Sequence, residues 1–241
     1  NYTLIAINCM VFLLAAFHPE YNALVERFGF IPERFSWLTV FTAMFLHGSI
    51  SHLVGNMWYL YLLGDNLEDR WGTPRYICFY FLSGIAATLF YALLAKETER
   101  TMPSIGASGA ISGVLGAYAV LFPGSKITFW YWYWILFRFG QGTFQIYSSV
   151  WLSLWFLQQI LGIAIGSGSS IAFGAHVGGF LFGMGVGVVV KISRKISYFS
   201  NIRAGKTALF QVFDTPPPRK RTFEEEVEME RRRQLIRSLP K

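Results

Sequence analysis

The sequence predicts an all-α, polytopic membrane protein, a bundle of six transmembrane helices. Composition is the first reason: 53% of the residues are hydrophobic, 18% aromatic and only 15% charged, with a mean hydropathy of +0.39. That is too apolar for an ordinary soluble domain of 241 residues. The second is spacing, since six apolar segments at about 2–17, 37–63, 76–95, 106–122, 147–165 and 174–191 each approach the ~17–25 residues needed to cross a bilayer. The third is charge placement: 13 of the 21 Lys and Arg lie from Lys191 onward, after the last apolar segment. By the positive-inside rule that tail, 192–241, is cytoplasmic, and the membrane domain is 1–191.

Taken in chain order, segment 2–17 counts as a span because no small-residue cleavage site follows it. Residues 18–36, "HPEYNALVERFGFIPERFSW" with its flanking Trp37, mix aromatics and charges as an amphipathic element in the interface would. The second span is 37–63, followed by an inner loop at 64–75. The third is 76–95. The fourth, 106–122, is rich in glycine and ends at Pro123. An unusually aromatic inner loop, 123–146, reads as an interfacial belt. The fifth span, 147–165, leads to an outer loop with "GSGSS" at 166–170 that would open easily, and the sixth is 174–191. In the tail, "DTPPPRKR" is a stiff polar linker, and "TFEEEVEMERRRQLIRSL" carries acids first and bases last, an order that favours a short helix through its dipole or a solvated tail. An even number of spans with the tail inside puts both termini in the cytoplasm and loops 18–36, 96–105 and 166–173 outside. The location expected is the cytoplasmic (inner) membrane.

Several function classes drop out. The formal charge of +7 is a juxtamembrane excess facing anionic lipid rather than nucleic acid. Cys9 and Cys78 lie in apolar segments without metal-ligand spacing. His47 and His52 are five apart, there is no HExxH, and no carboxylate is available at their depth, so no metal and no cofactor are expected. A channel or transporter stays as a third, weaker hypothesis: the Gly-rich helices suit it, but no intramembrane acid offers a cation or proton site.

What stands out is polar. An ionisable side chain in a bilayer costs at least a few kcal/mol, which makes an intramembrane histidine a candidate functional group. His47 and His52 fall in the second segment, with Asn56 one turn beyond His52 on the same face. His176 falls in the sixth. Counted from the inner ends of their helices at ~1.5 Å per residue, Ser108, His176 and His52 lie ~21, ~22 and ~18 Å up. They share one layer, several Å below the outer surface, and Ser108 must be reached through a submerged loop lining a wet cavity. A serine and a histidine at one depth can perform nucleophilic acyl transfer, the imidazole taking the hydroxyl proton. No third, acidic member is available, so the reading is a Ser–His dyad with its ring oriented by packing. The Ser108 amide at a helix start, His52 and Asn56 can stabilise the oxyanion. Gly109 and Gly113, like Gly179 and Gly183, have GxxxG spacing, and close packing of helices four and six would bring Ser108 to His176.

These residues carry a resemblance. "GASG" at 106–109, "HLVGN" at 52–56 and "AHVGGF" at 175–180, on helices in the right order over roughly 36–191, resemble the motifs of the six-span prokaryotic rhomboid intramembrane serine proteases. The resemblance implies Ser108 as nucleophile, His176 as general base and acid, and His52, Asn56 and the Ser108 amide as oxyanion hole. It implies supporting roles for His47, Gly106, Gly109 and Gly179. Loop 18–36 would be the membrane-embedded first loop, and helix five a mobile gate; Trp151, Trp155 and Phe156 could line that gate or form a lipid-facing aromatic stripe. Ser112 departs from members that place an aromatic there, against the catalytic histidine, so the ring's support must come from elsewhere. The implied partners are single-span membrane proteins, cleaved near the outer ends of their helices at small residues. The rival is a catalytically silent relative that only binds membrane helices.

Overall fold

The structure is a computed structural model that describes residues 1–135, 138–165 and 171–203. It is mostly helical, with several long apolar helices. The chain divides into a unit Asn1–Lys195 and a second unit Ile196–Lys241. The linker and the charged segment of the tail, like "GSGSS", lie outside the described residues.

Helix α1 (Tyr2–Ala16) leads to α2 (Tyr21–Phe28), whose residues Tyr21, Leu24, Val25 and Phe28 are half-buried while Asn22, Ala23, Glu26 and Arg27 are exposed. That 3.6-residue alternation makes α2 amphipathic. The second apolar segment is not one rod. Helix α3 (Trp37–Thr42) runs into a 3-10 turn at Ala43–Phe45 and stops, and α4 (Ile50–Tyr59) restarts at 92° to it. The restart is local chemistry: Ser49, in extended conformation, accepts the His52 amide on its side chain as an N-cap. His47 therefore sits in the bend, and His52 in the first turn of α4.

From α4 the helix continues through a π-helical turn at Leu60–Gly64 into α5 (Asp65–Trp71), so the expected inner loop 64–75 is helical instead. It reverses at Gly72, whose φ of +79° suits glycine, and α6 (Thr73–Leu94) follows at once. After the short α7 (Glu97–Arg100), the chain pairs Ser104 with Phe30 through two backbone hydrogen bonds and enters α8 (Ser108–Leu121).

Within the segment expected as loop 123–146, β1 (Lys126–Ile135) and β2 (Arg138–Tyr147) pair as an antiparallel hairpin. The dense aromatic and β-branched content of β1 favours strand over loop. Helices α9 (Ser148–Ile165) and α10 (Phe173–Arg203) complete the chain.

Helices α6, α9 and the first part of α10 (Phe173–Ser193) are each long and apolar enough to cross a membrane, and the bent pair is a fourth candidate. Helices α1, with 15 residues, and α8, with 14, are apolar but shorter. Helix α8 is the centre of the bundle, since every residue from Gly109 to Tyr118 is buried. Ala110, Ile111, Val114 and Leu115 pack in one core with Leu53, Leu60, Tyr80, Leu152 and Phe180 from four neighbouring segments. Small residues permit this. A Cβ on Gly109 would come within 2.7 Å of Ala87, one on Gly179 would overlap the Gly109 carbonyl, and one on Gly183 the Gly113 carbonyl.

Candidate active site

Ser108 heads α8, where the first amides have no partner within the helix. The residue that delivers the chain there is Gly106, with φ of +126° and its amide bonded to the Ala43 carbonyl at 2.8 Å. This is a conformation that L side chains rarely adopt. His176 lies on the second turn of α10, and the glycine contacts between α8 and α10 bring its ring to the serine: Ser108 Oγ is 2.8 Å from His176 Nε2.

The other imidazole nitrogen has a partner that the sequence reading did not identify. His176 Nδ1 lies 2.8 Å from Gln159 Oε1, and Gln159 on α9 is 4% exposed. The amide orientation has its own support, because Gln159 Nε2 donates to the Trp155 carbonyl at 3.3 Å. With Oε1 facing Nδ1, that nitrogen carries the proton, and Nε2 is left with a lone pair for the Ser108 hydroxyl. The expectation of a ring held by packing alone is thus corrected: a neutral amide orients it by a hydrogen bond, and packing adds to this. Trp155 stands 5.9 Å from the His176 ring at 34°, and Phe173 meets it edge-on at 6.5 Å. Those two rings supply the aromatic support that Ser112 cannot. Ser112 instead donates to the Ser108 carbonyl at 2.6 Å and ties down the first turn of α8.

His52 and Asn56 face the same spot from α4. An added Cβ at Gly106 would lie 2.7 Å from His52 Nε2 and 3.7 Å from Asn56 Nδ2, two residues before Ser108. Asn56 is 8% exposed, and its Nδ2 is buried with no hydrogen-bond partner among the described residues. A buried donor without an acceptor costs about 1–3 kcal/mol, and an oxyanion would relieve it. His47 is 1% exposed and backs the His52 ring at 5.1 Å, with its Nδ1 3.3 Å from the Phe45 carbonyl. Tyr21 of α2 donates to the His47 carbonyl at 3.0 Å, so the segment before the bent pair braces the bend.

Of the aromatics on α9, Trp155 and Phe156 turn inward, Phe156 stacking on Phe180 at 4.4 Å, whereas Trp151 packs on Phe129 of the hairpin at 4.6 Å. Helix α9 is the most peripheral of the three long apolar helices, 17% buried against 33% for α6 and 44% for α10. No three His, Cys, Asp or Glu side chains converge as metal ligands would among the described residues.

Comparison with known proteins gives a consistent family. The family model described as "Rhomboid domain" matches residues 34–193, which contain every residue of the site. The chain is similar to "Rhomboid protein 1, mitochondrial" of Saccharomyces cerevisiae, 30% identical over 190 residues, 76% of this chain and 51% of that protein. It is also similar to "RHOMBOID-like protein 5" of Arabidopsis thaliana, 31% identical over 159 residues, 65% of this chain and 45% of the relative. A third relative is "Presenilin-associated rhomboid-like protein A, mitochondrial" of Danio rerio, 27% identical over 182 residues, 75% and 45% respectively. The chain therefore spans about half the length of these relatives.

Proposed function

Because the chain belongs to the rhomboid family, we propose that it is an intramembrane serine endopeptidase that cleaves single-span membrane proteins near the outer ends of their helices. The observation that carries this reading is the 2.8 Å contact between Ser108 Oγ and His176 Nε2. As Oγ attacks the scissile carbonyl carbon, Nε2 takes the hydroxyl proton, and the C=O π pair moves onto oxygen. The Ser108 amide and the unpartnered Asn56 Nδ2, with His52 beside it, are donors suited to that oxyanion. On collapse the C–N bond breaks, and His176 returns its proton to the leaving nitrogen. Water then attacks the acyl-serine by the same route in reverse, releasing the new carboxyl end and regenerating Ser108.

A carbonyl engaged in a helix is not open to attack, so the substrate is a helix that unwinds at its end. The peripheral α9 is the gate by which it enters. The basic tail orients the protein in a cytoplasmic membrane with both termini inside and the dyad toward the outer face.

The test is incubation of the detergent-solubilised protein with a helical membrane substrate beside Ser108→Ala and His176→Ala. Cleavage by the parent alone is expected, together with fluorophosphonate labelling of Ser108 that His176→Ala abolishes. Equal product from parent and Ser108→Ala would refute the dyad.

A further inference from the structure

The hairpin β1–β2 is a two-stranded sheet with large aromatics on both faces, and it plays no part in the site. In the observed register one face carries Trp130, Trp132 and Trp134 opposite Thr143, Gln141 and Phe139. On the other face, Tyr131 and Tyr133 lie over Gly142 and Gly140, and Phe129 stacks on Phe144 at 5.3 Å. This second face meets the bundle through Phe129 against Trp151. The three indoles of the first face are 60%, 60% and 71% exposed. An isolated two-stranded hairpin is marginal in water and needs a further surface to cover it.

Where the hairpin is rooted says what that surface is. Ser148 donates its amide to the Ser125 carbonyl at 2.7 Å and its hydroxyl to Phe122 at 2.8 Å, and Ser149 bonds Pro123 at 3.1 Å. These bonds clamp the base of the hairpin between the end of α8 and the start of α9, at the opposite end of α8 from Ser108. The base is therefore at the depth where those membrane helices end. On α9, Val150, Leu154, Leu157 and Leu161, spaced along one helix face, are exposed as well. Trp and Tyr are the side chains that favour the membrane–water boundary. Residues 123–147 hold Lys126 and Arg138 and no acid, and both cations are exposed.

We propose that the Trp130–Trp132–Trp134 face of the hairpin is a lipid-docking paddle that lies in the headgroup layer of the leaflet remote from the dyad, with Lys126 and Arg138 favouring anionic lipid. This surface is independent of the protease assignment, and its test uses no substrate. The full chain, with Cys9→Ala and Cys78→Ala, is labelled at Trp132→Cys with an environment-sensitive fluorophore. It is then reconstituted in phosphatidylcholine vesicles with or without phosphatidylglycerol. A second probe at Thr143→Cys, which faces Trp130 across the strands and keeps all three tryptophans, guards against disturbance by the label. The expected result is strong quenching by headgroup and shallow-chain nitroxide lipids and protection from aqueous iodide at both positions. Lys126→Gln with Arg138→Gln should abolish any gain from phosphatidylglycerol. Iodide quenching without lipid quenching would overturn the proposal, as would protection from both accompanied by energy transfer between copies, which would make the occupant a second molecule of this chain. Equal quenching in the two lipid mixtures would overturn the anionic preference.

Discussion

At the residue scale, the candidate site depends on one amide as much as on its dyad. Gln159 lies in "LWFLQQILG", where two glutamines interrupt an apolar helix. Only Gln159 shares the buried face with Leu152 and Trp155, seven and four residues earlier, while Gln158 is exposed. Helical periodicity could have marked it, but nothing along the chain says that this face meets His176. Gln159→Leu should leave Nδ1–H without an acceptor and lower kcat roughly tenfold to a hundredfold, equivalent to about 1–3 kcal/mol for an orphaned buried donor. KM should stay nearly constant, and Gln159→Glu, which keeps an acceptor, should restore most of kcat. A fall of Leu and Glu variants to the same rate, or a change confined to KM, would remove Gln159 from the positioning role. Ser108, His176, His52 and Asn56 were legible for a different reason. Polar groups in an apolar stretch are expensive, so their presence alone draws attention, and helix counting expects Ser108, His176 and His52 at one depth.

At the element scale, close approach of α8 and α10 decides whether the dyad forms. A Cβ on Gly179 would fall on the Gly109 carbonyl, backbone that cannot swing aside, whereas a Cβ on Gly185 meets nothing within 4 Å. Gly179→Val is expected to cost about 1–3 kcal/mol or more through overpacking, visible as a lower thermal midpoint in detergent, and to reduce activity by separating Ser108 from His176. Gly185→Ala should leave both within error. If the two variants behave alike, glycine packing is not what joins these helices. The GxxxG spacing foretold this contact. The break at residues 46–49 was missed because hydropathy is continuous across it, and only the N-cap serine at Ser49 signals a restart. The hairpin was missed because Trp and Tyr alternate there, so both faces of the strand are aromatic and the two-residue polar period that marks a half-buried strand is absent.

At the scale of the whole molecule, helix length and the burial of helix ends govern how the bundle crosses the bilayer. Lengths alone qualify α6, α9 and α10, and the bent pair as a fourth. Helices α1 and α8 cross only if their ends are submerged among neighbours, which is what the chain before Ser108 does by bonding Phe30 and Ala43. The six-span orientation predicts that, in the background Cys9→Ala and Cys78→Ala, a cysteine at Thr101 is labelled by an impermeant maleimide from outside intact cells, whereas one at Gly124 is labelled only after permeabilisation. The reverse pattern would invert the orientation, and labelling of both from one side would rule out a single crossing by α8.

Taken by itself, the sequence determined that this is a membrane protein, the order of its apolar segments, and the polar residues Ser108, His176, His52 and Asn56 that stand out within them. Those are properties of composition and period, which act within a segment. Tertiary structure alone decided that the second segment bends, that β1 finds β2, and that Gln159 rather than an acid completes the line Ser108–His176–Gln159. That line depends on contact between residues far apart in the chain, 68 positions for Ser108 and His176 and 17 for His176 and Gln159. Such contacts form when separate elements pack, and the cost or gain of a hydrogen bond in that interior is set by the facing helix rather than by neighbours in sequence.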